Sequence, residues 1–113
     1  MDYKINRENE TCLVDLNGSL SNDLIDDIKN VLIKEVNESK KGLIVSLENV
    51  SFLCSAAFGM FFALHTLAQK SGKKICFCCV KQEIEKLFAI TGVHRHMNIA
   101  KTRDEALSFM KSY

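Results

Sequence analysis

The chain contains no proline and no tryptophan, and only 5 glycines among 113 residues. Without proline there is no proline-rich linker to divide it, and it shows neither a low-complexity stretch nor an internal repeat. Gly18, Gly42, Gly59, Gly72 and Gly92 all stand alone, so no glycine-rich loop is available to cradle a phosphate. Excess charge of one sign is also missing. With 15 Lys and Arg against 14 Asp and Glu, the net charge is +1, which gives no basic field for nucleic acid. No apolar run approaches the roughly 20 residues that span a bilayer. Met1-Asp2-Tyr3-Lys4 lacks the apolar stretch of a secretory signal. These absences lead us to expect a cytoplasmic protein with no nucleic-acid partner and no direct membrane insertion.

What remains is ordinary globular composition, 47% hydrophobic and 26% charged. The length suits one domain, since domains commonly run to about 100–150 residues, and we expect a single one over residues 1–113. Such a chain buries enough surface to fold without a metal or a disulfide. Five cysteines are present: Cys12, Cys54, Cys76, Cys78 and Cys79. Their odd number and apolar neighbours predict reduced, buried thiols. On a strand, Cys76 and Cys78 face one side and Cys79 the other, so the three cannot converge on one tetrahedral zinc even with His94 and His96 nearby. Cys54 precedes a helix start, where a thiolate would be favoured, but packing is the expected role. His65 has no serine or cysteine at a catalytic spacing, and no enzyme activity, metal or other cofactor is expected.

The charges are unevenly placed: residues 1–40 carry −4 and residues 41–113 carry +5. Asp23, Asp26 and Asp27 cluster where a helix should begin and complement its positive end. Thr11 to Asn17 alternates and ends at Gly18, predicting a strand, with Tyr3 to Asn6 as an edge partner. Leu24, Ile25, Ile28, Val31, Leu32 and Val36 form one helical stripe that finishes near Gly42. Leu43 to Leu47 is apolar and β-branched, as in a strand covered on both faces. A helix follows from Ala56 to Ala68, stopped by Gly72. A strand over Lys74 to Val80 and a short helix from Glu83 to Ile90 come next, with Gly92 as a left-handed terminator. His96 to Ala100 reads as a last strand, and Thr102 with Glu105 as the capping box of a final helix. Strands alternating with helices imply an α/β layered fold with crossover connections.

Four stretches carry a resemblance: Asn17-Gly18-Ser19-Leu20, Leu43 to Gly59, Leu87 to Val93, and Thr102 to Leu107. In this order and spacing they resemble the STAS domain, the fold of anti-sigma-factor antagonists and of sulphate-transporter tails. The resemblance implies a mixed, mostly parallel sheet with about four helices packed mainly on one side. It also implies a regulatory binding role, with a serine-kinase-type anti-sigma factor as partner and a phosphatase as resetting enzyme. In that family the turn after the central strand reads Asp-Ser-Ser/Thr-Gly-Leu, and its second hydroxyl residue takes a phosphate that switches binding off. Here the turn is Cys54-Ser55-Ala56-Ala57-Phe58. Ala56 occupies the acceptor position without a hydroxyl, Cys54 stands for the acid, and Ser46 replaces a second acid in the preceding strand. The switch is therefore expected to be absent. Ser55 is expected to cap the following helix, with a displaced phosphosite as the alternative.

At 100° per residue, Ala57, Phe58, Phe61, Phe62, Leu64 and Ala68 should face the sheet. Ala56, Met60, Ala63 and Leu67 then form a second apolar stripe, expected on the outside as a docking ridge unless another element or a homodimer covers it. The expected partner-binding set is Asn17, Ser19, Ser21, Asn22, Ser55, Ala56, Met60, Ala63 and Leu67. A second functional reading is a STAS subunit or scaffold of a membrane lipid-transport or signalling complex.

Overall fold

Alternating apolar and polar residues in Thr11–Leu20 build β2, which pairs antiparallel with the edge strand β1 (Asp2–Glu8). The computed structural model describes residues 2–8, 10–92 and 95–111, so Val93 and His94 lie outside the described residues. A single 3₁₀ turn over Asn22–Leu24 leads into α1 (Ile25–Glu38). Then come β3 (Gly42–Leu53), α2 (Ser55–Lys70), β4 (Lys74–Cys78), α3 (Gln82–Thr91), β5 (Asn98–Ala100) and α4 (Arg103–Lys111). The five strands lie in chain order, β1-β2-β3-β4-β5, and every pair after the first is parallel.

The period-2 alternation of the central strands sorts their side chains onto two faces. Val14, Leu16, Leu43, Val45, Leu47, Ile75 and Phe77 join Ile28, Leu32 and Val36 of α1, Phe61 and Leu64 of α2, and Ile84 and Phe88 of α3 in the larger core. Ring contacts tie it together: Phe61 to Phe77 at 4.7 Å, and Phe58 edge-on to Phe88 at 5.1 Å. The other face is smaller. Ile44, Cys76 and Cys78 are covered there by Ala106 and Met110 of α4. The sheet is thus mixed and mostly parallel, with three helices on one side and one on the other among the described residues, as the resemblance implied.

Gly42 shows why a glycine opens β3. Its φ is 134°, and a Cβ there would lie 1.8 Å from the Lys74 carbonyl oxygen in the neighbouring strand. Gly92 closes α3 with φ 77°, and its N–H donates to the Phe88 carbonyl at 3.0 Å. At the start of α4 the Glu105 N–H donates to Thr102 Oγ1 at 3.1 Å, the capping contact read from sequence. Several boundaries differ. β2 runs through Gly18 to Leu20, α1 ends at Glu38, β4 stops at Cys78, and β5 is only Asn98–Ala100. The largest difference is β3, which continues six residues past Leu47. The pairing shifts between Asp15 and Asn17, opposite Ser46 and Asn49, and this bulge breaks the alternation that would have revealed the extension.

Candidate partner-binding site

The carboxyl ends of β2 and β3 lie side by side, and both chains leave the sheet there. Leu20 is fully buried and anchors the end of β2. The Cys54 N–H donates to the Leu20 carbonyl at 3.0 Å, which holds the Ser21–Leu24 turn against the entry to α2. Ser19 and Ser51 share a hydroxyl–hydroxyl hydrogen bond of 3.0 Å across the two strands. Ser21 is half-buried and caps the 3₁₀ turn through its backbone. Its hydroxyl donates to the Asp23 carboxylate, and that bond holds the Asp23 carboxyl below the usual carboxylate range. Asn22 is exposed beside it. Asn17 is half-buried in the sheet, opposite Asp2 on one side and Asn49 on the other.

The N-cap of α2 is Cys54, not Ser55. Cys54 has the extended backbone of a cap (φ −73°, ψ 163°), and its carbonyl accepts from Ala57 N–H at 3.0 Å. Ser55 is therefore the first helical residue, exposed and freed from the capping role expected of it. Ala56 follows it, also exposed. Ser46 lies buried in β3 between Asp15 and Cys78. The nearby acid is Asp15, and it is engaged by the Arg103 guanidinium, which also reaches Glu48 at 3.4 Å.

The stripe expected on the outside of α2 is only partly there. Ala56 and Ala63 are exposed, Leu67 is half-buried against the core, and Met60 is 5% exposed and belongs to the core. The reason is that α2 packs on the sheet and also against α1. A helix with two neighbours buries a wider sector than one arc. His65 falls in the same widened sector, and burial pushes its imidazole below the ordinary value, with His96 adding to the effect. Phe62 goes the other way. Expected in the core arc, it is 42% exposed and meets the His96 ring edge-on at 5.9 Å.

The outer face of α2 thus presents Ser55, Ala56, Gly59, Phe62 and Ala63. No Asp, Glu, Lys or Arg occurs from Ser55 to Gln69. Phe52, 52% exposed next to Ser51, stands by the same end of the sheet and was missed in the sequence. Its signal was hidden by the bulge in β3; an aromatic two residues before a helix cap was the only trace.

The profile of the family described as the STAS domain matches residues 2–106. The anti-sigma-B factor antagonist of Staphylococcus aureus (strain NCTC 8325 / PS 47) is 27% identical over 86 residues, which cover 76% of this chain and 80% of that protein. Among solved structures, an anti-sigma factor antagonist from Mycobacterium paratuberculosis superposes with a TM-score of 0.89 at 16% identity, covering 98% of this chain and 94% of the other. The Bacillus cell-fate determinant SpoIIAA in its phosphorylated form gives 0.73 at 18% identity, covering 97% and 100%.

Proposed function

The chain belongs to the STAS domain family, and on that footing we propose that it is a regulatory protein-binding module that works as an anti-sigma-factor antagonist. It binds a serine-kinase-type anti-sigma factor and thereby frees a sigma factor by mass action. The observation that carries this reading is the uncharged outer face of α2, exposed at Ser55, Ala56, Gly59 and Ala63. Ser19, Ser21 and Asn22 border it across the Cys54–Leu20 hydrogen bond, Asn17 lies behind them, and Leu67 marks its far edge. Met60 supports this surface from inside and does not contact the partner. Small side chains let a partner backbone approach closely, and Phe52 and Phe62 supply apolar anchor area at either side.

Binding of this kind runs without the usual switch, because Ala56 offers no attacking oxygen for phosphoryl transfer. Tagged protein should capture a kinase-fold protein from extract of its native cell, and Ala56→Glu with Ala63→Glu should abolish that capture while leaving the melting curve nearly unchanged. The captured kinase and ATP should add no phosphate by intact mass. Stoichiometric phosphate on Ser55 would overturn the switchless reading. Capture of a transporter subunit instead, or equal capture by the charged variant, would overturn the antagonist reading.

A further inference from the structure

Adjacent residues on a strand point to opposite faces, so neighbouring cysteines there keep their sulfurs apart. Cys78 and Cys79 do not follow this rule. β4 ends at Cys78, and Cys79 takes φ 60°, the left-handed region that non-glycine residues seldom occupy. That turn brings Cys79 Sγ to 3.6 Å from Cys78 Sγ. The two thiols have unlike surroundings. Cys78 is buried beneath α4 among Ile44, Cys76, Ala106 and Met110. Cys79 is half-exposed and lines an open cleft of about 750 Å³ together with Lys81, Lys101 and Arg103, and with Glu48 and Asp104. The Arg103 guanidinium on this cleft is paired with Asp15 and Glu48. Accessible thiols beside cations are the ones oxidants find first.

The other thiols lack this setting. Burial and the Glu35 carboxylate, 3.3 Å away, push the Cys12 thiol up to about 12. Burial pushes Cys76 up to about 11 and Cys78 up to about 12, so of the adjacent pair it is Cys79 that is placed to meet an oxidant, and Cys54 is enclosed at the cap of α2.

We infer that Cys78 and Cys79 are an oxidisable dithiol, a modification site at which the Cys79 sulfur attacks a hydroperoxide and Cys78 resolves the product. In the first step the Cys79 sulfur takes the terminal oxygen of the peroxide, whose O–O bond breaks, leaving a Cys79 sulfenic acid and an alcohol or water. In the second, Cys78 sulfur bonds to Cys79 sulfur, and the sulfenic oxygen leaves as water with the Cys78 proton. Two electrons pass from the dithiol to the peroxide. Neighbouring Cα atoms sit about 3.8 Å apart, below the roughly 4.4–6.8 Å of ordinary disulfides. The ring is therefore strained and easily reduced, which suits a reversible mark rather than a structural staple.

The test uses the whole reduced protein, treated with stoichiometric hydrogen peroxide, alkylated and mapped by peptide mass. The peptide holding Cys76, Cys78 and Cys79 should carry one alkyl group instead of three and lie about 2 Da, the mass of two hydrogens, below a singly alkylated peptide with two free thiols; dithiothreitol before alkylation should restore all three alkyl groups. Cys76→Ala should keep this loss of two alkyl groups and Cys79→Ser should abolish it. Cys78→Ser should leave a Cys79 sulfenic acid that dimedone labels. Because Cys78 is buried, Cys79→Ser, a half-exposed change, decides the matter if Cys78→Ser fails to fold. The proposal is overturned if the loss persists in Cys79→Ser, if Cys79 is oxidised while Cys78 stays alkylatable in the unaltered chain, if Cys79 instead links two chains, or if no thiol of this peptide reacts.

Discussion

Substituting Gly42 and Gly18 by alanine separates two costs that usually come together. Both glycines have positive φ, 134° and 101°. A Cβ at Gly18 meets nothing within 4 Å, whereas one at Gly42 lies 1.8 Å from the Lys74 carbonyl oxygen and 2.8 Å from the same residue's C and N. All three are main-chain atoms of the paired strand, so no side chain can swing aside. Left-handed strain for a residue with a Cβ costs about 1–2 kcal/mol, and the stiffer unfolded chain offsets about 0.4–1 kcal/mol of it. Gly18→Ala should therefore lose about 1 kcal/mol. Gly42→Ala carries that loss and must also push β4 away from β3. Overpacking costs about 1–3 kcal/mol, and the Lys74 N–H bond to the Lys41 carbonyl, 3.0 Å long, is strained with it, at about 1 kcal/mol for a broken hydrogen bond. The sum is about 3–5 kcal/mol, against a total stability of about 5–15 kcal/mol. At about 4 °C per kcal/mol for a domain of this size, Gly18→Ala should lower Tm by about 4 °C and Gly42→Ala by at least about 12 °C. Paired thermal melts followed by circular dichroism give both numbers. Melts within a few degrees of each other would refute the close-approach argument.

Two further outcomes follow from α2. Met60→Asp removes a buried side chain and sets a carboxylate in the core, so it should cost about 4 kcal/mol or more and largely unfold the protein. Ala63→Asp, on the exposed face, should shift stability by about 0.5 kcal/mol, which urea titration will distinguish. Because burial lowers the folded-state affinity of His65 for a proton, the unfolded chain binds more protons below pH 6.5, the ordinary imidazole value. Stability should then fall as pH drops through that value, by at most about 1.4 kcal/mol per pH unit from this one group. His65→Leu should flatten the difference measured between pH 7.5 and 5.5 (about one pH unit either side of a free histidine); an unchanged slope would remove His65 as the cause.

Element order was legible because this chain punctuates itself locally. Gly92 after Ile90 and the Thr102–Glu105 pair are short-range signals; Gly92 acts as it reads, and of the capping box the Glu105 N–H bond to Thr102 forms while the Glu105 carboxylate accepts from the Lys101 N–H instead. The buried central strands announced themselves by apolar runs with no polar face. What the sequence concealed depends on long-range packing. Met60 and Phe62 are two positions apart on one helix, and which of them is covered depends on the elements packed around α2, α1 among them. Cys54 displaced Ser55 from the cap because the cap's place is fixed by its N–H bond to Leu20, a residue thirty-four positions earlier. Phe52 was lost behind a bulge whose register exists only opposite β2. The turn that brings Cys79 to Cys78 contradicts the strand alternation from which their separation was inferred. The exposure of the proposed surface was half readable: Ser55, Ala56 and Ala63 were read as exposed and are, whereas Phe62 was assigned to the core arc and Phe52 was not read at all.

Among the described residues, α4 alone covers one face of the sheet, and that cover is fragile in time. α4 has 9 residues, while isolated helices shorter than roughly 12–15 residues are marginal in water. It holds by Ala106 and Met110, by the Arg103–Asp15 pair, and by Lys74 Nζ donating to the Phe109 carbonyl at 3.2 Å. The strands lie in the order in which they are made, so a nascent chain can add each to the edge of the last. Throughout that growth Cys76 and Cys78 face water, since the helix that shelters them follows every strand. In the finished protein their re-exposure requires only the detachment of one short helix, a sub-global opening cheaper than unfolding. Their exchange with solvent should track the fraying of α4 and outpace that of the core shared by α1, α2 and α3.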